Sequence, residues 1–135
     1  MKPIRNPNSI HVMNRYVSEM ARDRRATIHD IDCIYRNHAK EFWCMFEWKW
    51  VRESVGGPGT LQSLHDMDVA FNTASHTYNG LFIVRMGWEE EFPLDDTQKC
   101  EIQHICGGVV ENHVHYSSNA RTAIQHILDH GKLLS

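Results

Sequence analysis

Residues 42–51 read Phe-Trp-Cys-Met-Phe-Glu-Trp-Lys-Trp-Val, and this run decides the fold. Phe42, Cys44, Phe46, Trp48 and Trp50 fall on one alternating set; Trp43, Met45 and Val51 fall on the other. Successive side chains of a strand point to opposite faces. A strand that is apolar on both faces belongs inside a sheet covered by helices. Glu47 and Lys49 interrupt the second set, two residues apart and therefore side by side. An unpaired charge there is expensive, and a purely structural ion pair would be a poor use of a central strand. The two residues ask for a functional reading.

Working outward, Asn8 or Ser9 can cap a helix running to about Arg24. Its stripe is Ile10, Met13, Val17 and Met20, widened by Val12 and Tyr16, with Glu19 at the edge. Residues 1–8 contain Pro3 and Pro7 and read as an extended arm. Residues 27–35 read as a strand and 36–40 as a polar turn. Gly56-Gly57-Pro58-Gly59 reads as a loop, after which Thr60 caps a helix to Ala74 with Leu61, Leu64, Met67 and Phe71 inward. Residues 80–86 form an apolar strand, and 89–96 an acidic loop. Residues 100–105 and 109–116 read as strands turning at Gly107-Gly108. Ser118 or Asn119 caps a last helix with Ala120, Ala123, Ile124 and Ile127 inward, stopped by Gly131. The order helix, two strands, helix, strand, hairpin, helix predicts a small mixed α/β sheet flanked by helices. At 135 residues, one domain spanning 1–135 is expected.

The composition, 41% hydrophobic and 23% charged, is that of an ordinary globular protein. The longest unbroken apolar run, 42–46, is far short of a membrane span, and no signal-peptide pattern opens the chain. Cys33, Cys44, Cys100 and Cys106 make no dense disulfide framework, so free thiols in a reducing cytoplasm are expected. Net charge is −3, but residues 1–29 hold six Lys/Arg against two Asp/Glu and the rest is acidic. A basic segment containing Arg22, Arg24 and Arg25 could hold nucleic-acid phosphates while carboxylates elsewhere bind metal.

His29-Asp30-Ile31-Asp32 precedes the central strand by one turn. Paired strands lie about 4.8 Å apart, so Asp32 (or Asp30) and Glu47 can reach one hard cation. Mg²⁺, or Mn²⁺, suits two carboxylates completed by water and phosphate oxygens. Such an ion polarises a phosphodiester and activates a bound water, while Lys49 would orient that water or stabilise charge developing on the phosphate.

Asp30-Ile31-Asp32 followed by Glu47-Trp48-Lys49 resembles the motif of the PD-(D/E)XK nuclease superfamily, over about residues 9–86. The resemblance implies a restriction-endonuclease-like core of order α-β-β-α-β and metal-dependent DNA cleavage. It implies Asp32 and Glu47 as metal ligands, the Trp48 carbonyl as a further ligand, and Lys49 as the catalytic lysine. Glu19 matches the extra glutamate of resolvases and RecB-like exonucleases. Gln62 matches a catalytic glutamine, with His65 on the same flank facing the nucleic acid. No proline precedes Asp32, and Asp66 stands where the RecB-like motif has a tyrosine. Branched or nicked DNA is the expected substrate, because a chain of this size leaves little room for a sequence-reading domain. A homodimer or recruitment by a larger protein is an expected partnership, and no membrane partner is.

Two other functions compete. One is a catalytically silent DNA-binding or assembly subunit with a nuclease fold; an intact Asp32, Glu47 and Lys49 set argues against it. The other is a small zinc-binding regulatory protein built from Cys100, His104, Cys106, His113 and His115, whose spacing fits no standard finger. His113 and His115 do alternate on a strand and share a face. Trp43, Trp48 and Trp50 could stack bases, but core packing is the expected role at such a strand. No G-x-S-x-G elbow, P-loop or G-x-G-x-x-G is present.

Overall fold

The structure, a computed structural model, describes residues 17, 19, 31–50, 58–86 and 97–135, with backbone alone at 50 and 58–61. The chain clusters into two compact units, Met1–Asp30 and Ile31–Ser135. In the first, Val17 and Glu19 are helical and exposed. The arm, Arg22, Arg24, Arg25 and Asp30 lie outside the described residues, as does the acidic loop at 89–96.

The second unit runs β1 (Cys33–Asn37), β2 (Phe42–Trp50), α1 (Pro58–Ala74), β3 (Tyr78–Met86), β4 (Cys100–Cys106), β5 (Val109–Tyr116) and α2 (Ala120–His130). The strands form one sheet in sequential order. β2 and β3 pair in parallel and the other neighbours are antiparallel. A parallel pair needs a crossover rather than a tight turn, and the connection from β2 to β3 contains α1. The mixed α/β sheet expected from the sequence is present.

Each face of the sheet carries its own core. Phe42, Cys44 and Phe46 of β2 and Phe82, Val84 and Met86 of β3 pack with Ala120, Ala123 and Ile127 of α2. On the opposite face Met45, Leu81, Ile83 and Ile105 pack with Leu64, while Met67 and Phe71 of α1 are partly buried against them. Full burial of a side chain as large as Phe46 or Phe82 contributes about 1.5–3 kcal/mol, so β2 and β3 anchor both layers. Trp43 fills the α1 side, with ring centroids 5.2 Å from Phe71 and 4.7 Å from Tyr78, and its Nε1 donates to Ser75 Oγ at 3.1 Å. Trp48 stacks on Phe46 at 4.9 Å on the other face. Both tryptophans are packing residues; the Trp50 side chain lies outside the described set.

Several boundaries differ from expectation. β1 occupies 33–37, so Arg36 and Asn37 are strand rather than turn. Among the described residues β1 is an edge strand, where alternate positions face solvent: Ile34 and Arg36 are exposed, while the Tyr35 hydroxyl and Asn37 amide both donate to Leu128 O. α1 starts at Pro58, not Thr60; a proline in the first turn loses no hydrogen bond and has its φ preset. β3 begins at Tyr78, two residues early, because a bulge carries the strand through Asn79 and Gly80. Gly80 adopts φ 111°, and the Asn79 carbonyl at this bulge bonds His104 Nε2 at 2.7 Å. At α2, Asn119 is the N-cap in the left-handed conformation and makes no side-chain cap bond. The Ala120 N–H is satisfied by Gln98 O instead. Gly131, at φ 67°, ends the helix as expected, with its N–H on Ile127 O.

The four cysteines are free thiols, with Cys44 and Cys100 buried. Burial pushes the Cys44 thiol up to about 12 and Cys100 up to about 11. Because the thiolate is the nucleophile, a disulfide reagent at pH 8 is expected to modify half-buried Cys33 and Cys106 well ahead of the other two. Peptide mapping after timed labelling checks this; early modification of Cys44 would show that the α2 face opens readily.

No helix among the described residues is long and apolar enough to cross a membrane.

Candidate active site at the open end of the β1–β2 hairpin

The register pairs Cys33 with Phe46, which sets Asp32 beside Glu47 where β1 begins. Two backbone-to-carboxylate bonds then tie the strands together. The Asp32 N–H donates to Glu47 Oε1 at 3.3 Å, and the Trp48 N–H donates to Asp32 Oδ2 at 2.9 Å. Each carboxylate commits one oxygen to the other strand's backbone, and a carboxylate has two. Lys49 Nζ lies 3.8 Å from Glu47 Oε2. The Glu47 side chain is 3% exposed and that of Lys49 17%, while Asp32 is exposed. A buried carboxylate thus meets an exposed one at a rim open to solvent, with an ammonium beside them.

Local sequence explains the placement. Glu47 and Lys49 occupy the α1-facing set of β2, beyond Met45, with Glu47 still beside the buried core and Lys49 past its edge. Across β3 their register partners are Ile83 and Arg85. Burying an isolated carboxylate costs several kcal/mol; the Asp32 N–H and Lys49 offset that cost for Glu47.

Asp32, Glu47, Trp48 and Lys49 are thus brought together. Gln62 donates its amide to Asp66 Oδ1 at 2.8 Å on the exposed side of α1, and His65 is half-buried one turn along the same helix. Glu19 is exposed and helical in the other unit.

The five-residue zinc grouping is not assembled. Cys100 is in the α2-side core. His104 stacks on Phe82 at 4.2 Å and holds the Asn79 carbonyl. Cys106 Sγ contacts Asn72 Oδ1 at 3.5 Å. His113 and His115 do share a face, but their neighbour is Glu101.

Asp68 went unread in the sequence. It is fully buried, accepting from the Tyr78 hydroxyl at 2.5 Å and from the Gly108 N–H at 2.7 Å. Burial, then the bond to Asp68, hold the Tyr78 hydroxyl well above the ordinary tyrosine range. Asp68 lies four residues after Leu64 on the inward stripe of α1, a position where a carboxylate signals a buried polar contact.

In comparisons with known proteins, no family model, no curated protein and no solved structure matches the chain.

Proposed function

We propose that the protein is a metal-dependent deoxyribonuclease that hydrolyses phosphodiester bonds at the Asp32–Glu47–Lys49 rim. The observation that carries this reading is the convergence of two carboxylates from adjacent strands with an ammonium 3.8 Å from one of them. The order hairpin, helix, then a strand parallel to the one bearing Glu-x-Lys supports a restriction-endonuclease-like core. The donor set fits a hard cation: Asp32 and Glu47 would hold Mg²⁺ or Mn²⁺ through oxygen, with the Trp48 carbonyl as a further ligand. When bound, the ion polarises the scissile phosphate and lowers the pKa of its water. Glu47 is positioned by the Asp32 N–H and Asp32 by the Trp48 N–H, so the carboxylates are held before substrate arrives. Lys49 contributes positive charge where the phosphate becomes more negative. DNA is the proposed partner, in branched or nicked form, with a second copy as the means of cutting both strands.

Plasmid and branched-DNA substrates test this directly. Cleavage is expected with Mg²⁺ or Mn²⁺ and none with excess chelator; undiminished cleavage in chelator removes the metal from the reaction.

The bonds from the Asp32 N–H to Glu47 and from the Trp48 N–H to Asp32 also favour a second reading, in which these groups lock the open end of the hairpin and the fold serves as a DNA-binding or assembly subunit. Absence of cleavage on every substrate, together with loss of stability in Asp32→Asn, is the outcome that reading requires.

A further inference from the structure

The hairpin of β4 and β5 carries a second grouping of metal-binding character on the α1 side of the sheet. The register sets Glu101 opposite His115, and Gln103 opposite His113. His113 and His115, two apart on β5, point to one face. His113 Nε2 lies 2.5 Å from Glu101 Oε1, His115 Nδ1 lies 3.7 Å from Glu101 Oε2, and one ligand atom from each residue fits within 4.8 Å of the others. The imidazole rings are 5.1 Å apart between centroids.

We propose that Glu101, His113 and His115 form a Zn²⁺ site with three protein ligands and an open position. Two imidazoles and one carboxylate are a borderline donor set that selects zinc over magnesium. Tetrahedral zinc with bonds of about 2.0–2.2 Å spaces its ligand atoms about 3.3 Å apart, inside the span these atoms already cover. The adjustment is small, because the histidine side chains are 42% and 74% exposed and free of the core. Without a metal, two imidazoles crowd one carboxylate and satisfy it only through particular tautomers or protonation; a cation accepts all three lone pairs at once. Glu101 and His115 also line a groove with Arg85, Thr97, Gln98 and Lys99. Three protein ligands leave tetrahedral zinc a fourth position for water or an anion, as in catalytic rather than closed structural sites. Arg85, on β3, is the register partner of Glu101 on β4 and of Lys49 on β2. The zinc position therefore lies on the sheet face of the hairpin carboxylates, about three strand spacings or 14 Å across it. This assignment does not depend on the nuclease reading.

Titration calorimetry with ZnCl2 in millimolar Mg²⁺ tests it, using the full chain in an Asp32→Asn background so that the hairpin carboxylates contribute little. One equivalent of Zn²⁺ is expected to bind and to raise the melting temperature. Binding is expected to be lost in His113→Ala/His115→Ala and weakened in Glu101→Gln. Melts without metal should be unchanged by these exposed substitutions, and His113→Gln/His115→Gln gives the same test should the alanine pair destabilise the hairpin. No Zn²⁺ binding by the parent, or undiminished binding after loss of both histidines, overturns the proposal.

Discussion

Lys49→Ala is expected to lower the rate of DNA cleavage by about 10²- to 10³-fold, the usual cost of removing one group that stabilises charge in a transition state. Metal affinity should survive, because a charged lysine is not a metal ligand; the ion is held by Asp32 and Glu47. The competing expectation is equally definite. Lys49 lies 3.8 Å from a carboxylate that is 3% exposed. If that contact exists only to neutralise Glu47, its loss strands a buried charge at a cost of about 3–5 kcal/mol. Thermal melts and calorimetric Mn²⁺ titration of wild type and Lys49→Ala separate the two. Inactive, stably folded protein that still binds metal supports the catalytic role. A large fall in melting temperature, with no metal bound by the wild type, makes Glu47 and Lys49 a structural pair.

Asp68→Ala is expected to destabilise the fold by about 2–5 kcal/mol, since it leaves two buried donors, the Tyr78 hydroxyl and the Gly108 N–H, without an acceptor. Asp68→Asn should recover little, because the donors bind different oxygens and an amide turns a donor of its own toward one of them. Tyr78→Phe leaves only the buried Asp68 Oδ1 short of one donor and should cost about 1.5–3 kcal/mol. Urea unfolding ranks the three; an Asp68→Ala loss below that of Tyr78→Phe would show that water satisfies the site.

The sequence made the framework legible where periodicity was strong. The doubly apolar run of β2, the Gly107-Gly108 turn and the Gly131 stop each carry a local signal strong enough to survive tertiary context. The end of β1 was missed because Arg36 and Asn37 are both polar, and two polar residues before His38 look like a turn when read alone. Pro58 and Gly59 looked like loop because both punctuate chains, yet a helix tolerates them in its first turn. Asp32, Glu47 and Lys49 were legible together because a two-residue period and one hairpin suffice to join them. Glu101 was not, because its partnership with His113 and His115 depends on the register of β4 and β5. Asp68 needed more still: its partners lie on β3 and in the β4–β5 turn, and nothing in its own helix names them.

The bulge at Asn79 and Gly80 constrains what this chain can become. A side chain at position 80 would drive its first carbon into the Ile105 carbonyl and to within 2.8 Å of His104 Nε2, at a φ of 111° that L residues rarely adopt. His104 in turn holds the carbonyl beside that glycine. A replacement at 80 must displace both the Ile105 backbone and His104, and displacing His104 takes the ring nitrogen from the Asn79 carbonyl. Evolutionary change is therefore expensive at residues 80 and 104, whereas Val109 and Val110, at 61% and 49% exposure on β5, meet far less packing constraint.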